Sequence, residues 1–239
     1  MIDIIINTIN RFPLGFVFTS SDFNIEVNKK KMVNKLLNDL VVQGKIKRLS
    51  KGRFYKPKLT EFGELLPDEY QIVKDLIEKN GKPIGYITGF SIFNQFGLTT
   101  QVPATIRIAI KKEKNSIKRG MYRISFTKQE NNITKDNICL LQLLDCLRFF
   151  KEIPDTFPDQ ACKRLLYLLK KLNIEQINTI KKLVLKYNPS TIALLGALLE
   201  TINPDEDIQL LHNKLNPMSS FKLYISKDIL PTQKKWYIK

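Results

Sequence analysis

The feature that most constrains the fold is an amphipathic helix pattern followed directly by a basic β pattern punctuated by glycine. Gly44 ends the helix pattern, because glycine readily adopts the left-handed conformation that closes a helix. Residues 45–49 and 53–55 then flank a turn that contains Gly52, and Pro57 follows, which predicts a two-stranded hairpin. The apolar positions with helical spacing are Val33, Leu36, Leu37, Leu40 and Val41.

The residues before this pattern supply two further helices and a short extended segment. Isoleucines at helical spacing predict a first helix over residues 2–10, which Pro13 ends. Residues 16–18 can form a short strand, residues 19–22 offer N-cap side chains for a second helix, and Asn28 can cap the third. Three helices followed by a basic hairpin is the element order of a winged helix-turn-helix, which binds double-stranded DNA.

The positive charge of the chain is large and unevenly distributed. The 239 residues carry a net charge of +16, and the pI is about 9.7. Such an excess favours a polyanionic partner: DNA, RNA or an anionic membrane surface. A lysine-rich proteome from an AT-rich genome is an alternative source of it. Residues 1–58, however, carry twelve Lys or Arg against four acidic residues, so one quarter of the chain holds half of the excess.

The third helix and the hairpin carry basic and amide side chains where a winged helix contacts DNA. Asn34 and Asn38 lie one turn apart and can read adenine edges in the major groove. The lysines can neutralise phosphates, and Lys51 and Arg53 at the hairpin tip can reach an adjacent backbone or minor groove. Two serines at the start of the second helix can hold a phosphate. The predicted DNA-binding residues are Ser20, Ser21, Lys29, Lys30, Lys31, Asn34, Lys35, Asn38, Lys45, Lys47, Arg48, Lys51 and Arg53.

The remaining sequence predicts a mixed domain. Two β-type runs, 105–110 and 122–127, are expected to pair across the basic turn 111–120. Residues 221–225 are a possible strand, and the basic aromatic tail around Trp236 can either dock a partner or pack back onto the domain. The other predicted elements are a linker or helical turn at 60–68 and helices at 69–79, 91–96, 137–150, 161–172, 175–187 and 191–201.

The predicted fold class is therefore α+β. An N-terminal winged helix-turn-helix over residues 1–60 is followed, over residues 61–239, by a mixed domain with a small β-sheet and a C-terminal helical layer.

Two segments of the chain resemble a known family. The segment LLNDLVVQGKIKRLSKGRFYKP, residues 36–57, is similar to the N-terminal domain of the AbiEi-type antitoxins and their DUF6088 relatives. The segment GYITGFSIFNQFGLTTQVP, residues 85–103, resembles the tyrosine-threonine-glycine stretch of that family and its glycine-leucine-threonine turn. The resemblance covers roughly residues 1–150. The matched positions are Gly44, Lys45, Ile46, Arg48, Gly52, Tyr55, Tyr86, Thr88, Gly89, Gly97 and Leu98.

The resemblance implies the antitoxin of a type IV toxin–antitoxin system. The partner would be a nucleotidyltransferase-like toxin encoded beside it, which the C-terminal domain would oppose by direct binding or by reversing its effect. The N-terminal domain would repress transcription from its own promoter DNA. No toxin contact follows for any matched residue, and Gly85, Gly89 and Gly97 are interpreted as turn and cap residues.

The sequence offers little for other kinds of chemistry. The three cysteines lack CxxC spacing and His212 is the single histidine, so we expect free thiols, no metal site and no cofactor. No apolar run approaches the roughly 18 residues of a membrane span and no signal peptide pattern opens the chain, so we expect a cytoplasmic protein with no membrane contact. Nucleophile-elbow and phosphate-loop motifs are absent, so we expect no enzyme activity.

Several alternatives stay open. The lysines can simply solvate an exposed helix face, and a winged helix can serve as a protein-docking module. The chain can also be a winged-helix transcriptional regulator without a toxin partner. A third class is a nucleic-acid-processing enzyme whose site is built from scattered acids such as Asp145 and Asp155.

Overall fold

The computed structural model describes residues 2–23, 25–61, 63–102 and 105–239. The chain divides into two compact units. The first comprises the chain up to Leu76 together with Ile117–Arg123, and the second comprises Ile77–Ser116 and Ile124–Lys239. A segment far along the chain thus belongs to the N-terminal unit, although no local sequence pattern indicates this.

The first sixty residues fold in the order helix, strand, helix, strand, strand. The elements are α1 Ile2–Arg11, β1 Val17–Phe18, α2 Lys30–Val42, β2 Lys47–Ser50 and β3 Arg53–Tyr55. The strands form an antiparallel sheet in the order β1–β3–β2, in which Val17 and Lys47 both pair with Tyr55. The predicted first helix, short strand and basic hairpin are therefore confirmed.

The chain between β1 and α2 differs from the prediction. The second helix is only a single 3-10 turn, Ser20–Asp22, and another 3-10 turn spans Val27–Lys29. The predicted N-cap Asn28 lies inside that second turn, and α2 begins at Lys30 without a side-chain cap. The cap prediction is wrong because the tighter turn leads directly into the helix: the amide of Lys29 already donates to the carbonyl of Glu26.

The apolar faces of α1 and α2 meet the three-stranded sheet in one core. Phe18 and Phe54 lie at its centre with ring centroids 6.3 Å apart, and both are almost wholly buried. Because α2 buries this face, its opposite face remains exposed. The buried core residues are Ile5, Ile9, Phe18, Phe23, Val33, Leu37, Leu40, Ile46 and Phe54.

Residues 58–76 continue the first unit with a second hairpin and a helix. β4, Lys58–Thr60, pairs with β5, Gly63–Leu65, and α3 spans Glu69–Ile77. The prediction of a linker or helical turn at 60–68 is wrong, because a β-hairpin occupies the first part of this stretch.

The chain after α3 alternates small sheets and helices, so within the described residues the protein is mixed α+β, as predicted. Strand β8, Gly85–Thr88, pairs antiparallel with β9, Thr105–Ile110, and β11, Tyr122–Lys128, lies between β9 and β10, Ile117–Arg119, in the same four-stranded sheet. The elements are β6 Glu78–Lys79, β7 Lys82–Pro83, β8 Gly85–Thr88, α4 Phe90–Gln95, β9 Thr105–Ile110, β10 Ile117–Arg119, β11 Tyr122–Lys128, α5 Ile138–Arg148, α6 Pro158–Lys170, α7 Ile174–Val184, α8 Pro189–Ile202 and α9 Gln209–His212. Strand β10 occupies part of the region predicted as a turn.

Helix α8 lies at the centre of the second unit, and the C-terminal tail packs against it. Every residue from Thr191 to Leu199 is buried. Trp236 is fully buried, and its indole N–H donates to the carboxylate of Glu200 over 2.6 Å. Gly196 makes room for the ring, because a Cβ there would lie 2.1 Å from it. The basic aromatic tail thus packs back onto its own domain.

Two further observations complete the fold. The possible strand at 221–225 reduces to one parallel bridge between Phe221 and Ile238, and backbone hydrogen bonds join residues 221–224 to residues 237–239. Within the described ranges, none of the helices combines the length and apolar character needed to cross a bilayer.

Candidate nucleic-acid interface

Helix α2 presents a mainly polar face opposite its buried one. Successive helical residues rotate by about 100°, so five of the predicted DNA-binding residues share an arc of about 140°. This arc contains three cations and no acid. The exposed Val42 also falls within the arc, and its polar residues are Lys30, Lys31, Asn34, Lys35 and Asn38, all of them exposed.

A side-chain hydrogen bond joins this face to the first hairpin. The guanidinium of Arg48, on β2, donates to the amide oxygen of Asn38. Arg48 also lies over the ring of Phe54, 5.8 Å from its centroid. Asn38 is thereby oriented by the hairpin, whereas the side-chain amide of Asn34 has no hydrogen-bond partner among the described residues.

Acidic residues from the second hairpin and α3 neutralise part of the charge on the first hairpin. Lys47 forms a 3.2 Å ion pair with Glu64, which also accepts a 2.6 Å hydrogen bond from the hydroxyl of Tyr55. These bonds, that of Tyr55 first, lower the pKa of Glu64 below its ordinary value. Lys47 therefore stabilises the unit through an ion pair and is not simply a free surface cation.

Arg53 is likewise paired inside the unit. Its guanidinium donates to the carboxylate of Asp75 over 2.7 Å, and Arg119 donates to the same carboxylate. Burial alone would raise the pKa of Asp75, but the hydrogen bonds from the two guanidinium groups outweigh it and hold the pKa below its ordinary value. The structure therefore places Arg53 in an ionic cluster, away from the free position predicted at the hairpin tip.

The other predicted residues divide into exposed cations and locally bonded groups. Lys45 and Lys51 are exposed and form no ion pair within the described residues, while Lys29 pairs with Glu26 over 3.1 Å. The two predicted serines lie in the short 3-10 turn, where Thr19 and Asp22 form a capping box. The carboxylate of Asp22 accepts from the amide of Thr19 over 2.7 Å, so an acid already occupies the N-terminus proposed for a phosphate.

The first unit as a whole carries a net positive charge. With residues 59–76 and 117–123 included, the unit holds sixteen Lys or Arg and nine Asp or Glu, a net charge of +7. Two of the five added acids, Glu64 and Asp75, pair with the first hairpin, whereas the lysines on the outer face of α2 and Lys51 form no ion pair within the described residues, which leaves a concentration of unpaired positive charge there. This concentration is what a phosphate backbone would contact.

The tyrosine-threonine-glycine stretch serves a different purpose, in the second unit. The hydroxyls of Tyr86 and Thr88 each donate to the same oxygen of the Asp145 carboxylate over 2.8 Å, and all three residues are buried. Gly89 then starts α4 with a φ of +70°, a conformation that suits glycine. The interpretation of Gly89 as a cap residue is confirmed.

Further polar groups complete the network around Asp145. The hydroxyl of Tyr187 donates to the second carboxylate oxygen over 3.0 Å, and the amide of Gln129 donates to both tyrosine hydroxyls. Burial raises the pKa of Asp145, while the three hydroxyl donors oppose that rise. Every polar atom here has a partner, which is the pattern of a structural network. In the described part of the chain, no three His, Cys, Asp or Glu side chains are grouped to share a metal ion.

Comparison with known proteins agrees with the resemblance at the level of the family. A family model described as "Family of unknown function (DUF6088)" matches residues 4–177. The chain belongs to the DUF6088 family. Both of the segments that suggested the resemblance lie inside the matched region. Because the family is one of unknown function, membership assigns no activity.

A solved structure shares the fold of this DUF6088 protein. The crystal structure of the RV2827C protein from Mycobacterium tuberculosis matches it with a TM-score of 0.58 and 12% sequence identity, covering 93% of this chain and 84% of that one. At this identity the likeness concerns the fold alone. No curated protein matches the sequence.

Proposed function

We propose that the first unit is a winged helix that binds double-stranded DNA through the outer face of α2 and the hairpin β2–β3. The observation that carries the proposal is the exposed arc of α2, with three lysines, two asparagines and no acid, opposite a fully apolar face. The order of elements supports it, since α1, α2 and the hairpin β2–β3 follow one another as the first helix, the third helix and the wing of a winged helix do, with a 3-10 turn, Ser20–Asp22, in place of the second helix.

In this proposal α2 enters the major groove. Lys30, Lys31 and Lys35 contact phosphates and provide affinity, and the free amide of Asn34 reads a base edge. Lys51, at the tip of the hairpin, contacts the neighbouring backbone. Lys47 and Arg53 contribute little direct contact, because Glu64 and Asp75 already hold them.

We propose further that the protein is an antitoxin that represses its own promoter and opposes a nucleotidyltransferase-like toxin through the second unit. This step rests on the resemblance to the AbiEi-type antitoxins. The transcriptional regulator without a toxin partner differs from it only in lacking a toxin gene next to its own.

The DNA-binding proposal is tested by fluorescence anisotropy with the DNA upstream of the gene and a scrambled duplex. Wild-type protein should prefer the upstream DNA, and its affinity should fall with salt. The triple variant Lys30→Gln, Lys31→Gln, Lys35→Gln should lower the slope of log K against log salt by up to about 2.7, at about 0.9 per phosphate contact. The matched control, Lys163→Gln, Lys170→Gln, Lys182→Gln, removes three exposed helical lysines of the second unit. Equal slopes for the two triple variants would overturn the proposal.

The antitoxin proposal is tested by expressing the neighbouring gene with and without this chain. Growth arrest relieved by co-expression supports an antitoxin. A harmless neighbour, together with intact binding to the upstream DNA, identifies the regulator without a toxin partner.

A further inference from the structure

The segment Ile117–Arg123 belongs to the first unit although it is separated in sequence from the rest of that unit, which ends at Leu76. It contains three cations and no acid. It comprises strand β10, a tight turn at Gly120 and the start of strand β11.

Two contacts fix this segment to the rest of the unit. Arg119, which is 4% exposed, donates to the carbonyl of Ile72 over 2.7 Å and to the carboxylate of Asp75. Gly120 lies against β2: a Cβ there would be 3.0 Å from the carbonyl oxygen of Leu49. Since Asp75 also holds Arg53, one carboxylate joins the segment to the first hairpin.

The two remaining cations of the segment, Lys118 and Arg123, have exposed side chains. Successive side chains of a strand point to opposite faces, so Lys118 is on the other face of β10 from Arg119, and Arg123 is on the other face of β11 from Tyr122. Lys118 and Arg123 are exposed, and neither forms an ion pair with another described residue. Strands β10 and β11 are neighbours in the sheet, and like charges on neighbouring strands repel each other, a repulsion that a bound anion would reduce.

We propose that Ile117–Arg123 is a second basic element of the DNA-binding surface, and that Lys118 and Arg123 contact phosphates beside those reached by the first hairpin. This inference rests on the proposed DNA binding. It follows from the contact of Gly120 with β2, which places these cations next to the strand that leads to Lys51. Phosphate contacts of this kind raise the affinity for all sequences alike.

The test compares wild type with the double variant Lys118→Gln, Arg123→Gln by anisotropy on upstream and scrambled DNA. Two lost contacts lower the salt slope by about 1.8, so between 50 and 200 mM salt the wild type should lose about twelve-fold more affinity than the variant. The preference for upstream DNA should not change. The control is Lys170→Gln, Lys182→Gln, which should keep the wild-type slope.

The outcomes separate this inference from the proposed function. If the double variant Lys118→Gln, Arg123→Gln keeps the wild-type salt slope while the α2 triple variant has a lowered slope, the inference alone is overturned. Failure of the wild type to bind DNA would overturn both. Equal melting temperatures of the variant and the wild type confirm that a lowered slope reflects lost contacts and an intact fold.

Discussion

The hydroxyl of Tyr86 donates a hydrogen bond to the carboxylate of Asp145 over 2.8 Å in the interior of the second unit. Residues 59 positions apart in the sequence are thereby joined where water is excluded. Thr88 donates to the same oxygen, so two residues of the tyrosine-threonine-glycine stretch hold one buried acid. The stretch that supports the family resemblance is therefore explained by the stability of the second unit.

Tyr86→Phe should destabilise the protein by about 1–3 kcal/mol, because it leaves a buried carboxylate with one donor fewer. Urea unfolding measures this. Tyr224→Phe is the matched control, since Tyr224 is 72% exposed. DNA affinity should be the same in both variants, because the first unit is untouched. If Tyr86→Phe unfolds at the same urea concentration as wild type, the network does not stabilise the fold.

Replacement of the two asparagines of α2 should have different effects on DNA sequence preference and on thermal stability. Asn34→Ala should reduce the preference for upstream DNA by about 1–3 kcal/mol, the usual value of one bidentate base contact, with little change in stability. Asn38→Ala should also free Arg48 and so lower the melting temperature, because the two side chains are hydrogen-bonded.

Anisotropy with competitor DNA and thermal melting distinguish these two effects. Gln176→Ala is not a suitable control, because Gln176 completes a capping box; Asn178→Ala, an exposed position on α7, is suitable. If Asn34→Ala keeps the full preference for upstream DNA, Asn34 does not contact a base and other residues must provide the sequence preference.

The sequence predicts the elements of this fold better than its long-range contacts. Helix α2 and the hairpin β2–β3 follow from apolar spacing and glycine positions, which are local. The cluster of Arg53, Asp75 and Arg119 could not be predicted, because its members lie 22 and 44 positions apart and charge patterns carry no pairing information. The predicted DNA-binding set therefore includes Arg53, which the structure shows to be paired inward.

The buried thiols should make stability depend on alkaline pH. Burial, with the nearby charge of Asp159, raises the pKa of Cys162 to about 12, whereas the pKa of an unfolded cysteine is about 8.5. Between these values the folded state binds more protons than the unfolded state, so the free energy of unfolding falls as pH rises. From pH 7.5 to 9.5 this one thiol should account for a loss of about 1.4 kcal/mol.

Urea unfolding of wild type and Cys162→Ala at the two pH values measures this loss. The variant should be less stable than wild type at pH 7.5, because a cavity remains, but it should lose about 1.4 kcal/mol less on going to pH 9.5. Cys139→Ala is the control, since that side chain is exposed. An identical pH dependence in Cys162→Ala and wild type would contradict the prediction.

Gly196→Ala should destabilise the protein, although the same change inside a helix ordinarily stabilises it by about 0.5–1 kcal/mol. The added Cβ would lie between 2.1 and 2.6 Å from three carbons of the Trp236 ring, which is fully buried. Overpacking of this kind costs about 1–3 kcal/mol. In a Trp236→Leu background the ring is absent, so the added methyl group should cost far less. Urea unfolding of the two single variants and the double variant gives the coupling between the sites. A Gly196→Ala protein more stable than wild type would show that α8 and the tail do not pack as closely as this contact requires.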